Sequence, residues 1–310
     1  MELKQLEYIV TIADEQSISK AAEKLFITQS ALNQQLLRLE YDLGVTLFER
    51  FHRTMIPTYA GSVYLENARK ILAIKEETYK ILNDISQNKR GELSISYTPE
   101  QGSLMFSEVY PHFHKLYPNF HFRLYEARVK QSELLLRQHK VSLASIAHAP
   151  NEFQPDFDYY QMAPELMVLA LPKTHDLAYL AGSKSYETFP SIDLKLLEHY
   201  PFVLLSHETR MRDMIDEEFA RAGFKPYVLF EASSSHTIVN TVRNQVCAGF
   251  FPQSYVDPDA PMVYFSLNFR VCWMRSIIYW KGAYLSDAEK AFMRLSRQYI
   301  MGTLPKLPVE

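Results

Sequence analysis

The 310-residue chain holds only two cysteines, Cys247 and Cys272, so no disulfide framework can staple it, and so few thiols fit a reducing compartment. Glycine is scarce at nine residues, which argues against long flexible linkers. No apolar run approaches the roughly 20 residues that a membrane-spanning helix needs. The opening MELKQLEYIV has no charged leader, long apolar core or small-residue cleavage site, so no export signal is visible and a cytoplasmic location is expected. Charge of one sign is lacking too: 33 Lys and Arg stand against 36 Asp and Glu, a net charge of -3. Without a global basic field, any contact with nucleic acid must rest on a local surface. No Gly-x-Ser-x-Gly, Walker loop or His-Glu-x-x-His run occurs, so catalysis has no positive signal and no cofactor is expected.

What is present is enough apolar content, 47%, to bury the cores of two or three domains. Leu3, Leu6, Ile9, Val10 and Ala13 recur at helical spacing and predict a first helix ending near Asp14 to Gln16. Ser17 can cap a second helix with Ile18, Ala21, Ala22 and Leu25 on its buried stripe. Thr28 can cap a third, in which Leu32, Leu36, Leu39 and Leu43 share one face and Gly44 marks the stop. The opposite face carries Gln29, Ser30, Asn33, Gln34 and Arg38.

Two short helices joined by a tight turn fit a helix-turn-helix, whose second helix enters the DNA major groove. Gln and Asn can hold adenine through two hydrogen bonds, and Arg can do the same for guanine. The bland alternative is a solvated helix in a small bundle. VTLFERFHRTMIPTYAG then reads as a β-wing that lays Arg50, His52 and Arg53 on phosphates or in the minor groove. Thr58 can cap a long helix from Tyr59 to about Asn88. Its two apolar stripes, Ile71, Ile74, Thr78, Ile81 and Ile85 beside Leu65, Ala68, Leu72, Tyr79 and Leu82, call for a partner helix, most simply its own copy.

The run LEYIVTIADEQSISKAAEKLFITQSALNQQLLRLEYDLGVTLFER, followed by PTYAG, resembles the N-terminal region of LysR-type transcriptional regulators. The resemblance implies a winged helix-turn-helix over 1–58 and a dimerisation helix over 59–90. It also implies that the helix from Thr28 reads double-stranded DNA through Gln29, Ser30, Asn33, Gln34 and Arg38, with Arg50 and Arg53 gripping it from the wing. A homodimer or homotetramer and contact with RNA polymerase are implied with it. The chain departs from the family at Gln34 and Leu37, where many members carry a basic residue. Its first sixty residues hold six Lys or Arg (4, 20, 24, 38, 50, 53) against eight Asp or Glu (2, 7, 14, 15, 23, 40, 42, 49). Few phosphate cations imply a shallow salt dependence and reliance on avidity.

Past KRG the pattern alternates strand and helix: ELSISY, a helix ending in YPHFHKLYP, FHFRLYE, QSELLLRQHK and VSLASIAHAP. A second series starts at LMVLALP and ends near FFPQSY, and RSIIYWKG with LSDAEKAFMRLSRQYI reads as a return to the first unit. Such alternation implies mostly parallel sheets. It resembles the two-lobed effector domain of LysR-type regulators, itself similar to periplasmic binding proteins. The expected fold class is therefore α plus α/β, with lobe I at 91–165 and 267–310 and lobe II at 166–266.

Between two such lobes a small-molecule effector can bind. By position the cleft should be lined by Thr98, Gln101, Gly102, Ser103, Ala127 and Arg128 from lobe I, and by Ser206, His207 and Thr209 from lobe II. HKVSLASI and NQVCAGFFP depart from the family pattern near that cleft. His112, His114 and His121 suggest a metal, but residues two apart on a helix face different ways, so no metal site is expected. Cys247 and Cys272 read as small buried hydrophobes rather than a redox pair. A transport solute-binding protein, or an enzyme using the same cleft, would be the rival readings. The helix-turn-helix counts against the first, and the missing catalytic pair against the second.

Overall fold

The computed structural model describes residues 2–52, 54–86, 89–182, 185–207, 209–267 and 272–305. Arg53 and Asn88 therefore lie outside the described residues. The chain begins with α1 (Leu3–Glu15), α2 (Ile18–Lys24) and α3 (Gln29–Leu43), then the hairpin β1 (Phe48–Phe51) and β2 (Thr54–Pro57). Ser17 and Thr28 cap α2 and α3 by accepting from Lys20 N (3.4 Å) and Ala31 N (3.2 Å). Ile9, Ile12, Ala21, Leu32, Leu36 and Leu47 form the core of this unit. Leu43, assigned by its spacing to the buried stripe, is instead 45% exposed. It sits in the last turn, where Gly44 at φ +69° turns the chain away from the core.

The long helix α4 (Tyr59–Ile85) starts where Thr58 Oγ1 accepts from Gly61 N at 2.9 Å. Gly61 is required there, because a Cβ would lie 1.9 Å from the Leu47 carbonyl oxygen. Of the apolar stripes on α4, Leu65 and Ala68 are buried, whereas Ile74, Tyr79, Leu82 and Ile85 are exposed. The inner face of α4 meets lobe I through polar contacts. Lys80 pairs with Glu289 at 2.6 Å, and Asp84 accepts from the Tyr284 hydroxyl at 2.8 Å. Asp14 on α1 pairs with Arg69 of α4 and, at 2.9 Å, with Lys140 of lobe I. A cavity of about 840 Å³ separates these three units around that joint.

Lobe I contains β3 (Arg90–Tyr97), α5 (Gln101–Leu116), β4 (Asn119–Glu126), α6 (Val129–Arg137) and β5 (Leu143–His148). Its strands β4, β3 and β5 run parallel. The chain then enters β6 (Phe157–Pro172), a strand shared by both lobes. Lobe II follows with α7 (Ser185–Thr188), β7 (Ser191–Ile192), β8 (Pro201–Leu205), α8 (Arg210–Ala222), β9 (Tyr227–Ala232), α9 (Ser235–Arg243), β10 (Ala248–Pro252) and β11 (Met262–Leu267). The return is β12 (Cys272–Trp280), and α10 (Asp287–Ile300) closes lobe I. The strand order is β4-β3-β5-β12-β6-β10-β8-β9. β6 pairs with β12 up to Leu166 and with β10 and β11 from Met167 onward, so it changes lobe within one residue step. β11 has no counterpart in the sequence reading. Its run MVYFSL is mostly apolar on both faces, and its pairing with β6 and β7 distinguishes it as a strand.

Candidate DNA interface and effector cleft

On α3, burial of Leu32, Leu36 and Leu39 leaves Gln29, Ser30, Gln34 and Arg38 exposed. Asn33 is half-buried, and its Oδ1 accepts from the Arg50 guanidinium at 3.2 Å. The wing cation thus engages the oxygen of the Asn33 amide, whose nitrogen remains a donor. Thr28 and Ser30 share a hydroxyl hydrogen bond of 3.2 Å. Glu40, which the sequence shows only as one of the acidic residues of this region, holds the two parts together. Its Oε1 accepts from Leu47 N at 2.7 Å and Phe48 N at 3.2 Å, tying the wing to the far end of α3. Phe26, 95% exposed and at φ +55°, stands at the turn before α3. No spacing argument reaches a lone turn residue of this kind.

The second region lies at the carboxyl ends of β3, β4 and β5, which point at lobe II, where open α/β sheets hold ligands. Thr98 and Ser103 are half-buried there. Gly102 is buried against Tyr97, whose Cβ would be 2.8 Å from an added Cβ, so its role is close packing. Gln101 Nε2 spans the lobes, donating to Glu165 Oε1 (3.3 Å) and to Ser254 Oγ (2.5 Å). Arg128 is exposed at the N-cap of α6. Ser206 has its hydroxyl oxygen buried without a hydrogen-bond partner among the described residues. Thr209 caps α8 by accepting from Arg212 N at 3.2 Å.

His207, expected to line the cleft, takes part in a lobe II network. Its Nε2 lies 3.0 Å from both Arg212 and Glu231. The buried Arg212 also donates to Asp216 (2.8 Å) and to the Leu205 carbonyl (2.6 Å), so this network braces α8 against β8 and β9. A cavity of about 310 Å³ opens between residues of the two lobes. Lys130, His148 and Glu152 face Met211 and Asp213 across it, and Trp273 also lines it. The sequence reading missed these residues, because α6 and α8 approach each other only once both lobes have folded.

Beside Gln101 lies a buried carboxylate, Glu165, which accepts from Trp273 Nε1 at 3.1 Å and lies 4.0 Å from Arg275. Burial pushes the Arg275 guanidinium below its ordinary value, and Glu165 opposes that shift. Among the described residues no group of three His, Cys, Asp or Glu comes together as a metal site. His114 stacks on Tyr110, with ring centroids 5.6 Å apart. Both cysteines are free, and burial pushes the Cys247 thiol up to about 11, which keeps it protonated and unreactive.

Residues 3–62 match the profile of the bacterial regulatory helix-turn-helix protein, lysR family, and residues 86–300 match the LysR substrate binding domain. The chain belongs to the LysR family of transcriptional regulators. It is a regulator of transcription with an effector-binding domain, and not an enzyme. This LysR-type chain is 28% identical over 313 residues to the uncharacterized HTH-type transcriptional regulator YcgK of Bacillus subtilis (strain 168), covering 98% of this chain and 96% of that one. A full-length OxyR variant from Pseudomonas aeruginosa shares its fold with a TM-score of 0.73 at 24% identity, over 96% of this chain and 98% of that one. The effector binding domain of QuiR in complex with shikimate aligns with a TM-score of 0.54 at 20% identity, over 70% of this chain and all (100%) of that one. Among the described residues of this LysR-type regulator no helix is long and apolar enough to cross a membrane.

Proposed function

We propose that the regulator acts in the cytoplasm as a homodimer, or a homotetramer built from two, on double-stranded operator DNA. Gln29, Ser30, Asn33 and Gln34 read bases in the major groove, with Arg38 as the one cation of that face. Arg50 and Arg53 contact the backbone from the wing, and Thr28 sets the start of the reading helix. The observation that carries this reading is the Arg50–Asn33 hydrogen bond, which joins the wing to a base-reading amide on an otherwise neutral face. The exposed row Ile74, Tyr79, Leu82 and Ile85 supports a second copy of α4 as the dimer partner.

A small-molecule effector bound between the lobes, near Thr98, Gln101, Ser103, Arg128 and Ser206, would shift the closure of the cleft. Because α4 and α1 are both tied to lobe I, that closure is coupled to the spacing of the paired reading helices and to recruitment of RNA polymerase. The test is to map the bound DNA and compare wild type with the double variant Gln29→Ala/Asn33→Ala. Each lost amide–adenine pair is worth roughly 1–3 kcal/mol, so operator affinity should fall about 30-fold or more while random DNA is bound nearly as before. Equal losses on both would overturn base readout by this helix.

A further inference from the structure

Two consecutive residues at the start of α5 reach out of lobe I and hold lobe II. The Glu100 carboxylate accepts through Oε2 from the Ser235 backbone N–H at 3.2 Å and from the Tyr255 hydroxyl at 2.8 Å. Gln101, beside it, donates to Ser254 at 2.5 Å. Glu100 is the N-cap of α5, yet its side chain bonds no amide of α5. Ser234, the N-cap of α9, likewise gives α9 no side-chain cap. A carboxylate from one lobe therefore caps a helix of the other. The first turn of α9 has free N–H groups and the positive end of the helix dipole, both of which favour a negative partner. Burial pushes the Tyr255 hydroxyl above its ordinary value, so it is a neutral donor. Glu100 holds φ +65°, ψ -87°, a strained conformation for a residue with a side chain, which persists only where surrounding contacts hold it.

We infer that Glu100 is an internal stand-in for an anion, and that its carboxylate, seated between Ser235 N–H and Tyr255, latches the two lobes closed before any effector arrives. The consequence for regulation rests on the cleft being the effector site, whereas the latch does not. An effector carboxylate that reaches for α9 competes with Glu100 for the same two donors. An effector confined to the cavity lined by Lys130, Glu152 and Asp213 leaves the latch shut. Ligands of the first kind open the clamp before they close the cleft, so Glu100 sets which chemistry can switch the protein.

The test uses the full-length protein without DNA or effector, read by amide hydrogen exchange at Ser235 and the next residues of α9. In E100A these amides should exchange about tenfold faster or more, the scale set by losing a charge-assisted hydrogen bond. Sodium acetate should restore their protection in E100A and leave wild type unchanged, while sodium chloride at the same ionic strength should do neither. Unchanged exchange in E100A would overturn the latch, and acetate acting no better than chloride would overturn the anion seat. If protection in α10 also collapses, E100Q decides the matter, because it keeps the shape and one acceptor oxygen but not the charge. Exchange at Ser235 as slow in E100Q as in wild type then refutes the proposal, and faster exchange supports it. No effector is present, so a negative result leaves the effector-cleft reading standing, and a cleft that binds nothing leaves the latch standing.

Discussion

Glu40 offers the most direct test of how the DNA-binding unit is held together. Its Oε1 accepts from Leu47 N at 2.7 Å and from Phe48 N at 3.2 Å, and both donors belong to residues at most 7% exposed. Replacing Glu40 with alanine removes the acceptor and leaves two buried N–H groups without a partner. A hydrogen bond to a charged group contributes about 1.5–3 kcal/mol. The two bonds share one oxygen and the carboxylate is partly solvated, so their sum is discounted to a loss of about 2–4 kcal/mol. That is a large part of the roughly 5–15 kcal/mol that stabilises a domain. E40Q, which keeps an oxygen acceptor without the charge, should lose about half as much. Hydrogen exchange at Leu47 and Phe48 in the full-length protein measures the local effect, and thermal melting the global one. Operator affinity should fall as well, since Arg50 rides on the strand that Glu40 anchors. A loss under about 0.5 kcal/mol in E40A, with those two amides still protected, would refute the idea that this carboxylate fixes the wing.

Ile74 and Ile81 lie on the outer face of α4, and changing both to Asp puts two charges into the proposed helix pair. Analytical ultracentrifugation should then report monomers, and an unchanged mass would refute α4 as the dimer element. His139, at φ +51° and tilted against Trp280 with centroids 5.2 Å apart, lies at the joint between α4 and lobe I. Burial first, then Arg69 and Lys70, push its imidazole below the ordinary value, so the folded chain binds this proton less readily than the unfolded one. Its contribution to stability is thus fully present above about pH 6.5 and is lost as the pH falls through the lower folded value. Melting curves between about pH 7.5 and 5.5 should show stability falling with pH, and the slope should shrink in H139Q. An identical slope in H139Q would show that other groups carry it.

Local features of the fold were largely legible in the sequence. Ser17, Thr28 and Thr58 announced their helices because a cap is a contact within three residues, and Gly44 announced a stop for the same reason. The exposed amides of α3 followed from leucine spacing alone. Leu43 misled because periodicity records which face a residue takes but not where the core ends. The cleft was harder to read. Position after a strand placed Thr98, Gln101, Ser103 and Arg128 at the carboxyl ends of lobe I strands. However, His207 went to Arg212 and Glu231, partners whose approach depends on how β8, α8 and β9 pack.

The sequence by itself determined the helix-turn-helix, its neutral reading face, the wing, the long apolar-striped helix and the alternation that makes two α/β lobes. All of these rest on spacing, capping and turn chemistry, which act within a few residues along the chain. Only the tertiary structure decided that Arg50 would engage Asn33, that Glu40 would anchor the wing, and that Asp14 would join α1, α4 and lobe I. It alone decided that Glu100 would cap a helix 135 residues away. Each of these is a polar contact between elements distant in sequence, and no local pattern encodes which donor such a side chain will find until the elements have packed.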